Sequence, residues 1–333
     1  MDRSKDKLLS VDSLIIGYGS KHLLPPLSAE ALKGELVAVI GRNGIGKSTL
    51  LRTLMGLQPA LGGKVMIDSK DLKELSRNEM ARRIGYISTE IIRVSNMTVF
   101  DLVALGRYPH TNWIGQTDAL SYTAVKDALE KTGLSGFETR YISSLSDGER
   151  QRAMIARILA QETDILIMDE PTAFLDIVSK FDIVKLILNL ASEGRTILFS
   201  THDLNIAVNQ AHRIWMMLDD GIAEGAPEDL VLDGSFDHLF KSGNIGFDKN
   251  DGTFSFKSEL SDSIYVEGEG PSYHWTRKAL ARIGYSVTQV PADPYIISPS
   301  SKNRQWILST SGKQHCFDKL YDLVRSLSTG ERM

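Results

Sequence analysis

The stretch Gly41-Arg42-Asn43-Gly44-Ile45-Gly46-Lys47-Ser48-Thr49 decides the fold of this chain. It follows the apolar run 36–40 and precedes 50–55, where apolar residues recur at helical spacing, so it predicts a strand, a glycine loop and a helix in that order. The stretch fits the pattern G-x-x-x-x-G-K-[ST], whose backbone N–H groups curl around phosphates. Glycine loops also make ordinary strand-to-helix turns, but the complete pattern in this context indicates a nucleotide site.

The residue types in this loop suit a nucleotide together with a Mg²⁺ ion. Lys47 can reach the terminal phosphates, and the hydroxyl of Ser48 can bind Mg²⁺. The following helix adds its unpaired N–H groups and the positive end of its dipole to the same anion site. The residues of the loop that we predict to bind nucleotide are Gly41, Asn43, Gly44, Gly46, Lys47, Ser48 and Thr49.

Composition limits the classes of protein to consider. With 333 residues, 42 % of them hydrophobic, the chain can fill the cores of one large and one smaller domain. A net charge of −4 and a pI near 6.0 give no overall basic field, so we expect no nucleic-acid partner. The single cysteine, Cys316, cannot form an internal disulfide, and no apolar run has the length of a signal peptide or a membrane span. We therefore predict a cytoplasmic protein that reaches a membrane only through a partner.

Two adjacent acids follow a predicted buried strand. The apolar run 165–168 is typical of a strand buried on both faces of a parallel sheet, and such sheets bind ligands at the carboxyl ends of their strands. Asp169 can hold Mg²⁺ in its second shell, and Glu170 can polarise the attacking water, as phosphoryl transfer requires. The alternative is that the two acids cap the segment 171–176.

A histidine follows the next predicted strand. The run 196–200 ends in Thr201-His202-Asp203. A single histidine is more often structural than catalytic. His202, however, lies at the same predicted sheet edge as Lys47 and Glu170, and this convergence of phosphate-competent groups favours a functional role.

A second candidate anion site lies within the mostly helical segment 98–161. The spacing of Ser146 and Glu149, with Gly148 between them, matches a capping box, which needs no ligand to justify it. Alternatively, Ser146, the Gly148 backbone and the helix N-terminus hold an anion. The residues of this segment leave both interpretations open.

Tyr18 is the candidate for contact with the nucleotide base. It follows the alternating segment 9–16, which predicts a strand, and it lies upstream of the phosphate loop. Its ring could stack on adenine, although a single tyrosine in a loop more often packs against its own chain.

Together these elements resemble the nucleotide-binding subunit of an ATP-binding cassette (ABC) transporter, over residues 1 to about 240. The phosphate loop alone is shared by many nucleotide hydrolases. The motif 145–149, the strand and acids 165–170, the segment 172–176 and His202 follow in an order that is specific to this superfamily. The resemblance implies ATP and Mg²⁺ as cofactors, with Tyr18 stacked on adenine.

The resemblance also implies a role for each remaining candidate. Ser48 and Asp169 would hold Mg²⁺, and the catalytic residues would be Glu170 and His202, the latter contacting the γ-phosphate. The signature residues Ser146, Gly148 and Glu149 would act on the nucleotide of a second copy, so that a head-to-tail dimer encloses two ATP molecules. Asp176 would lie near that dimer interface.

One position departs from the family pattern. Where a glutamine usually senses Mg²⁺ and the attacking water, this chain has Thr89, followed by Glu90. Either residue takes over that metal-sensing role, or the site works without it. For Glu90 an exposed salt bridge is the alternative.

The motif Gly106-Arg107-Tyr108-Pro109-His110, with Trp113 nearby, narrows the resemblance. It is similar to the ATPases that drive uptake of ferric siderophores, haem and cobalamin. In that family this region faces the membrane subunit, so its residues can differ between types of transporter. Packing explains Pro109 and Trp113 equally well.

The segment after the cassette predicts a separate small α+β domain. We place the cassette at residues 1–243, a turn-rich linker at 244–252 and the extra domain at 253–333. The pattern predicts strands, a helix over 273–283 and a last helix over 315–327, in a ferredoxin-like arrangement. The stretch 268–272 could hold an anion, but a capped turn is the better-supported interpretation. The sequence assigns this domain to no family.

The predicted fold class is α/β: a P-loop NTPase of the ABC ATPase type, with a RecA-like core, a helical subdomain and an N-terminal β subdomain, plus the C-terminal α+β domain. The predicted function is the energy-coupling ATPase of an importer for an iron chelate or cobalamin. The predicted partners are a second copy, integral-membrane permease subunits and, indirectly, a substrate-binding protein. The predicted location is the cytoplasmic face of the cell membrane. The alternative is a soluble or regulatory ABC ATPase that is not coupled to transport.

Overall fold

The computed structural model describes residues 7–89, 96–110, 119–239, 245–249, 252–256, 262–288, 290–299 and 304–328. The chain divides into two compact units, one of residues 1–241 with 247–253 and the other of residues 242–246 with 254–333. Glu90 and Trp113, both singled out in the sequence, lie outside the described residues.

The first unit contains most of the secondary structure. Its strands are β1 (Lys7–Ile15), β2 (Gly17–Tyr18), β3 (Lys21–His22), β4 (Leu27–Leu32), β5 (Leu36–Gly41), β6 (Gly62–Ile67), β7 (Lys70–Asp71), β8 (Ile84–Ile87), β9 (Ile165–Met168), β10 (Thr196–Ser200), β11 (Arg213–Leu218) and β12 (Gly221–Gly225). Its α-helices are α1 (Lys47–Leu54), α2 (Arg77–Ala81), α3 (Val99–Ala104), α4 (Ala119–Lys131), α5 (Asp147–Ala160), α6 (Ile177–Ser192), α7 (Leu204–Gln210), α8 (Pro227–Leu232) and α9 (Ser235–His238). Among the described residues of this unit, 3₁₀ helices span Leu72–Glu74, Leu105–His110 and Ile142–Ser144.

A six-stranded sheet in the order β12-β11-β5-β10-β9-β8 forms the centre of this unit. All its neighbouring strands are parallel except for β11 and β12, which form an antiparallel hairpin. Strands β9 and β10 are buried along their whole length, as their continuous apolar runs require. Because β5, β10 and β9 are adjacent and parallel, their carboxyl ends bring the phosphate loop, the two acids and His202 to one edge.

A four-stranded antiparallel sheet, β4-β1-β6-β7, forms the predicted N-terminal β subdomain. Its inward side chains, among them Leu9 and Val65, belong to the same apolar cluster as Leu50 and Leu51 of α1. The helix behind the phosphate loop is therefore held from both sheets by burial of apolar surface.

The segment predicted to be helical contains α3, α4, α5 and the 3₁₀ helix Leu105–His110. In this 3₁₀ helix Arg107 is buried and donates from Nη1 to the backbone oxygen of Ala160 at 2.7 Å and to Glu162 Oε2 at 2.5 Å. Tyr108, in contrast, is 81 % exposed. Packing thus accounts for Arg107 in the motif 106–110, whereas Tyr108 of the same motif lies on the surface.

Gly106 explains a further part of that motif, and it gives a stability prediction. A Cβ atom at this position would lie 1.9 Å from the backbone oxygen of Arg157, so the 3₁₀ helix could not approach α5 this closely with any other residue. We expect Gly106→Ala to lower the free energy of unfolding by about 1–3 kcal/mol, measured by denaturant unfolding. Gly225→Ala is the matched control, since its Cβ would meet Leu230 only at 3.6 Å. Equal stability of the two variants would contradict this explanation.

The second unit is the predicted α+β module. Its elements, with the hairpin that precedes it, are β13 (Ile245–Asp248), β14 (Thr253–Phe256), β15 (Asp262–Glu267), α10 (Gly270–Arg282), β16 (Tyr285–Thr288), β17 (Tyr295–Ile297), β18 (Trp306–Thr310), β19 (Lys313–Phe317) and α11 (Leu320–Ser328). Its five-stranded sheet has the order β16-β15-β17-β18-β19, and α10 and α11 contribute Leu280 and Leu323 to its core. Residues 245–248, inside the predicted linker, form a strand.

Three predictions for this unit are wrong. Residues 315–317, placed at the start of the last helix, belong to β19, because Ser311 and Gly312 at φ 49° and 82° make a tight turn after β18. The arrangement is not ferredoxin-like, since no helix separates β17, β18 and β19 in the described residues. The stretch 268–272 is not a capped turn, because α10 begins within it and its N-cap residue, Glu269, makes no side-chain cap.

None of the helices in the described part of the chain combines the length and the apolar character that crossing a bilayer needs.

Candidate functional site

The phosphate loop joins β5 to α1 as its sequence predicts. Gly44 and Gly46 have φ values of 78° and 112°, in the region that side-chain-bearing residues rarely adopt, and Gly46 is the N-cap of α1. No side chain caps this helix, so its first N–H groups remain available to an anion. Ser48 and Asn43 are exposed, whereas Thr49 is buried.

Lys47 begins α1 and is only 6 % exposed. Its ammonium donates to the backbone oxygens of Gly41 at 2.9 Å and Arg42 at 3.3 Å, which folds the side chain over the loop. Burial lowers the pKa of Lys47, while the carboxylates of Glu170 and Asp169 act in the opposite direction. A largely desolvated cation at the mouth of a glycine loop provides the charge that a terminal phosphate needs.

Tyr18 lies beside the same helix. Its hydroxyl is 3.0 Å from Thr49 Oγ1, and its ring is 56 % exposed. The hydrogen bond fixes the tyrosine next to the phosphate loop, and the exposed ring face is free to stack on a base. The predicted loop around Tyr18 is in fact a short hairpin of β2 and β3.

Asp169 and Glu170 follow β9, and a hydroxyl on β10 connects them. Ser200 Oγ donates to Asp169 Oδ1 at 2.6 Å and accepts the backbone N–H of Glu170 at 2.9 Å. Glu170 has a φ of 50°, a conformation that costs a residue with a side chain about 1–2 kcal/mol. The alternative interpretation, in which the two acids cap the segment 171–176, is wrong. Residues 171–174 form turns, and the next helix, α6, is capped by Asp176 instead.

His202 contacts Glu170 directly. Its Nε2 lies 2.5 Å from Glu170 Oε1, and both side chains are partly exposed. Such a pair satisfies the geometric requirement for a general base that a second group orients. The cluster of Lys47, Asp169, Glu170 and His202 matches the division of labour in phosphoryl transfer: cation, metal ligand, base and phosphate contact.

The capping box at the start of α5 is present. Ser146 Oγ accepts the N–H of Glu149 at 3.2 Å, and Glu149 Oε2 accepts the N–H of Ser146 at 2.8 Å. The backbone hydrogen bond from Ser146 lowers the pKa of Glu149. Because the hydroxyl of Ser146 is exposed and only accepts in this box, its proton can still be donated to an anion.

Asp176 and Gly148 meet the same residue of α6. Asp176 accepts the backbone N–H of Ser179 at 2.9 Å and its hydroxyl at 3.0 Å, and the backbone bond lowers the pKa of Asp176. A Cβ at Gly148 would lie 2.8 Å from Ser179 Oγ. A side chain at position 148 would therefore displace the hydroxyl of Ser179 that Asp176 accepts.

Several of the remaining candidate site residues line two clefts. The lining of one includes Thr89, Glu170 and four residues of α5, namely Asp147, Arg150, Gln151 and Met154. The other brings Gly41 and Asn43 of the phosphate loop together with Thr201 and His202. Thr89 thus lines the same cleft as Glu170, while Ser146 lines neither of these two clefts.

The side chains available as metal ligands fit a Mg²⁺ ion that binds at the same site as a nucleotide. Ser48 supplies an exposed hydroxyl and Asp169 a buried carboxylate, and hard oxygen donors of this kind are what Mg²⁺ prefers. Within the described ranges, no group of three or more His, Cys, Asp or Glu side chains could hold a metal ion.

Fold and site together define a nucleoside-triphosphate-binding cassette. Residues 24–173 match the family model described as ABC transporter, and residues 261–328 match the one described as Iron ABC transporter C-terminal domain. The second match identifies the domain that sequence reasoning left unassigned. The chain belongs to the ABC transporter family as an ATP-binding subunit, and it is an ATPase.

Curated relatives share the cassette. The petrobactin import ATP-binding protein FpuD of Bacillus anthracis is 37 % identical over 227 residues, covering 68 % of this chain and 83 % of its own. The ferric enterobactin transport ATP-binding protein FepC of Escherichia coli strain K12 is 39 % identical over 226 residues, covering 66 % and 82 %. A bacterial ABC transporter cassette solved as a dimer superposes with a TM-score of 0.58 at 25 % identity, covering 66 % of this chain and 99 % of its own.

Ser200 is the site residue that sequence reasoning missed. It is the last residue of β10, next to Thr201 and His202. The rule that ligands bind at the carboxyl ends of parallel strands marks this position as well. Its bonds to both acids could not be read from the sequence, because they depend on the register between β10 and β9.

Proposed function

We propose that this ATPase drives the import of an iron chelate of the siderophore class. The observation that carries the proposal is the presence, in one chain, of a cassette and a C-terminal segment that matches the iron transporter domain model. Relatives named for petrobactin, enterobactin and hydroxamate chelates support the same substrate class. Tyr108, within the motif 106–110, is exposed, which is consistent with a contact surface whose residues depend on the type of transporter.

We further propose that the working unit is a head-to-tail dimer with two composite sites. One copy would supply the phosphate loop, Asp169, Glu170 and His202, and the partner would supply Ser146, Gly148 and the tip of α5. Ser146 is exposed, and its hydroxyl proton is available to the γ-phosphate, which supports this arrangement. Asp176, at the exposed N-terminus of α6 beside Gly148, would lie along the contact between the copies.

In this mechanism each residue acts on a defined part of the nucleotide. Tyr18 stacks on adenine, the loop N–H groups hold the phosphates, and Lys47 neutralises their terminal charge. When bound, Mg²⁺ would neutralise part of the phosphate charge, and Ser48 and Asp169 would hold the ion. Glu170 takes the proton of the attacking water, and His202 orients Glu170 and contacts the γ-phosphate.

Closure of the dimer would couple ATP to transport. Each nucleotide contacts both copies, so its binding energy favours the closed state, and hydrolysis removes that bias.

We propose that integral-membrane permease subunits receive the motion through exposed side chains of the helical segment, namely Leu105, Tyr108, Leu120, Tyr122 and Tyr141. The chain would then lie at the cytoplasmic face of the membrane and depend indirectly on a substrate-binding protein. Thr89, which lines the same cleft as Glu170, is the described candidate for the role of the usual glutamine.

The test is uptake by cells that carry the gene as their only copy. Lys47→Ala should abolish accumulation of radioactive iron supplied as one ferric siderophore, because the buried ammonium that binds the phosphates is lost. Lys131→Ala, which removes only an exposed ion pair with Glu193, should accumulate iron normally. Haem and cobalamin are supplied in parallel. Normal uptake of every compound in the Lys47→Ala strain would contradict the importer role and favour a regulatory ATPase.

A further inference from the structure

Ser200 stands at the centre of the hydrogen bonding around the two acids. It is fully buried, at 0 % exposure, and its hydroxyl makes one bond as a donor and one as an acceptor. The donor bond, of 2.6 Å, ends on a carboxylate oxygen of Asp169, so it is a short, charge-assisted bond. The acceptor bond ends on the backbone N–H of Glu170.

The two bonds fix different properties of the site. The bond to Oδ1 sets the rotation of the Asp169 carboxylate and thereby directs its second oxygen. The bond to the Glu170 amide holds a backbone turn with a positive φ of 50°, which determines where the side chain of Glu170 points. One hydroxyl thus links the orientation of the metal-binding acid to that of the proton-accepting acid.

We propose that Ser200 is a positioning residue of the ATPase, which sets the geometry of Asp169 toward Mg²⁺ and of Glu170 toward water. The proposal rests on the roles given above to these two acids. Ser200 touches no reacting atom itself and acts through both neighbours. A mutation should therefore change kcat and the Mg²⁺ requirement together, whereas a purely structural serine would change only stability.

Ser200→Ala removes both bonds while filling nearly the same space. We expect kcat to fall about tenfold or more. Without the hydroxyl, the backbone N–H of Glu170 loses its acceptor and the carboxylate of Asp169 loses the bond that sets its orientation, so both acids depart from the geometry that catalysis needs. The Mg²⁺ concentration that gives half-maximal ATPase should rise several-fold. ATP affinity, which depends mainly on the phosphate loop and Tyr18, should change less than twofold. Ser200→Thr keeps the hydroxyl and should restore most of the activity.

Thr196→Val is the matched control. Thr196 is a fully buried hydroxyl residue at the opposite end of β10, where it accepts the N–H of Gly34 at 3.0 Å and donates to the oxygen of Leu32 at 3.1 Å. This variant also loses two buried hydrogen bonds, so it should lower the melting temperature to a similar extent. Its kcat and Mg²⁺ dependence should stay at the wild-type values.

The experiment measures steady-state ATPase of the full chain at saturating ATP over a Mg²⁺ titration, with Glu170→Gln included. If Ser200→Ala keeps wild-type kcat and Mg²⁺ dependence while Glu170→Gln is inactive, the positioning role is wrong and the catalytic assignment stands. If Glu170→Gln is itself active, the assignment of the base fails first. Should Ser200→Ala not fold, Ser200→Cys, which keeps the volume but donates weakly, is judged by the same criteria.

Discussion

Glu170→Gln is expected to stall ATP turnover while leaving ATP binding intact. The amide has the shape of the carboxylate and can keep a contact with Nε2 of His202, which lies 2.5 Å away, but it cannot accept the proton of the attacking water. Loss of a positioned general base lowers the rate about 10²–10⁴-fold. Single-turnover hydrolysis and binding of a fluorescent ATP analogue measure the two properties separately.

The control for this variant is Glu130→Gln, at an exposed position of α4. It makes the same chemical change away from the site and should hydrolyse ATP at the wild-type rate. Near-normal hydrolysis by Glu170→Gln would remove this residue from the mechanism. A loss of ATP binding in the same variant would instead show that the charge of Glu170 helps to hold the nucleotide.

Ser146→Arg has the second large expected effect: no turnover, although a single copy still binds ATP. The substitution puts a long cation in place of the exposed hydroxyl at the tip of α5, where the account places the nucleotide of the partner. The phosphate loop, Lys47 and Tyr18 are unchanged, so ATP should bind each copy with ordinary affinity. ATPase activity and ATP-dependent dimer formation, followed by size-exclusion chromatography, test the prediction.

Ser76→Arg provides a control with the same local cost. Ser76 caps α2 in an identical capping box, with Glu79 in the place of Glu149, so both variants lose a cap worth about 1 kcal/mol. Only the Ser146 variant should lose turnover and dimer formation. If both variants behave alike, the effect at Ser146 is one of helix stability and not of contact with a nucleotide.

The sequence was sufficient where local pattern and tertiary structure agree. The apolar runs at β5, β9 and β10, each followed by polar residues, predicted buried parallel strands whose ends converge. That rule predicts Lys47, Asp169, Glu170 and His202 at one edge of the sheet, and the 2.5 Å contact of His202 with Glu170 agrees with it.

The sequence was insufficient where register or backbone conformation decides. The bonds of Ser200 to both acids depend on how β10 aligns with β9, and a pattern of apolar residues carries no such information. The positive φ of Glu170 is likewise set by tertiary contacts. At 315–317 the sequence predicts the start of a helix, although the Ser311-Gly312 turn before this short polar segment indicates a hairpin, which the structure contains.

The most direct test of the account mixes two inactive variants, Lys47→Ala and Ser146→Arg, before ATP is added. In a head-to-tail dimer of the two, one site combines both lesions, and the other combines an intact lysine with an intact partner serine. Each mixed dimer holds one intact site of its two, so we expect the mixture to recover about a quarter of the wild-type ATPase rate if the copies pair at random, and up to about half if only mixed dimers form. A mixture that stays as inactive as either variant alone, while cross-linking shows that mixed dimers form, would contradict the composite site.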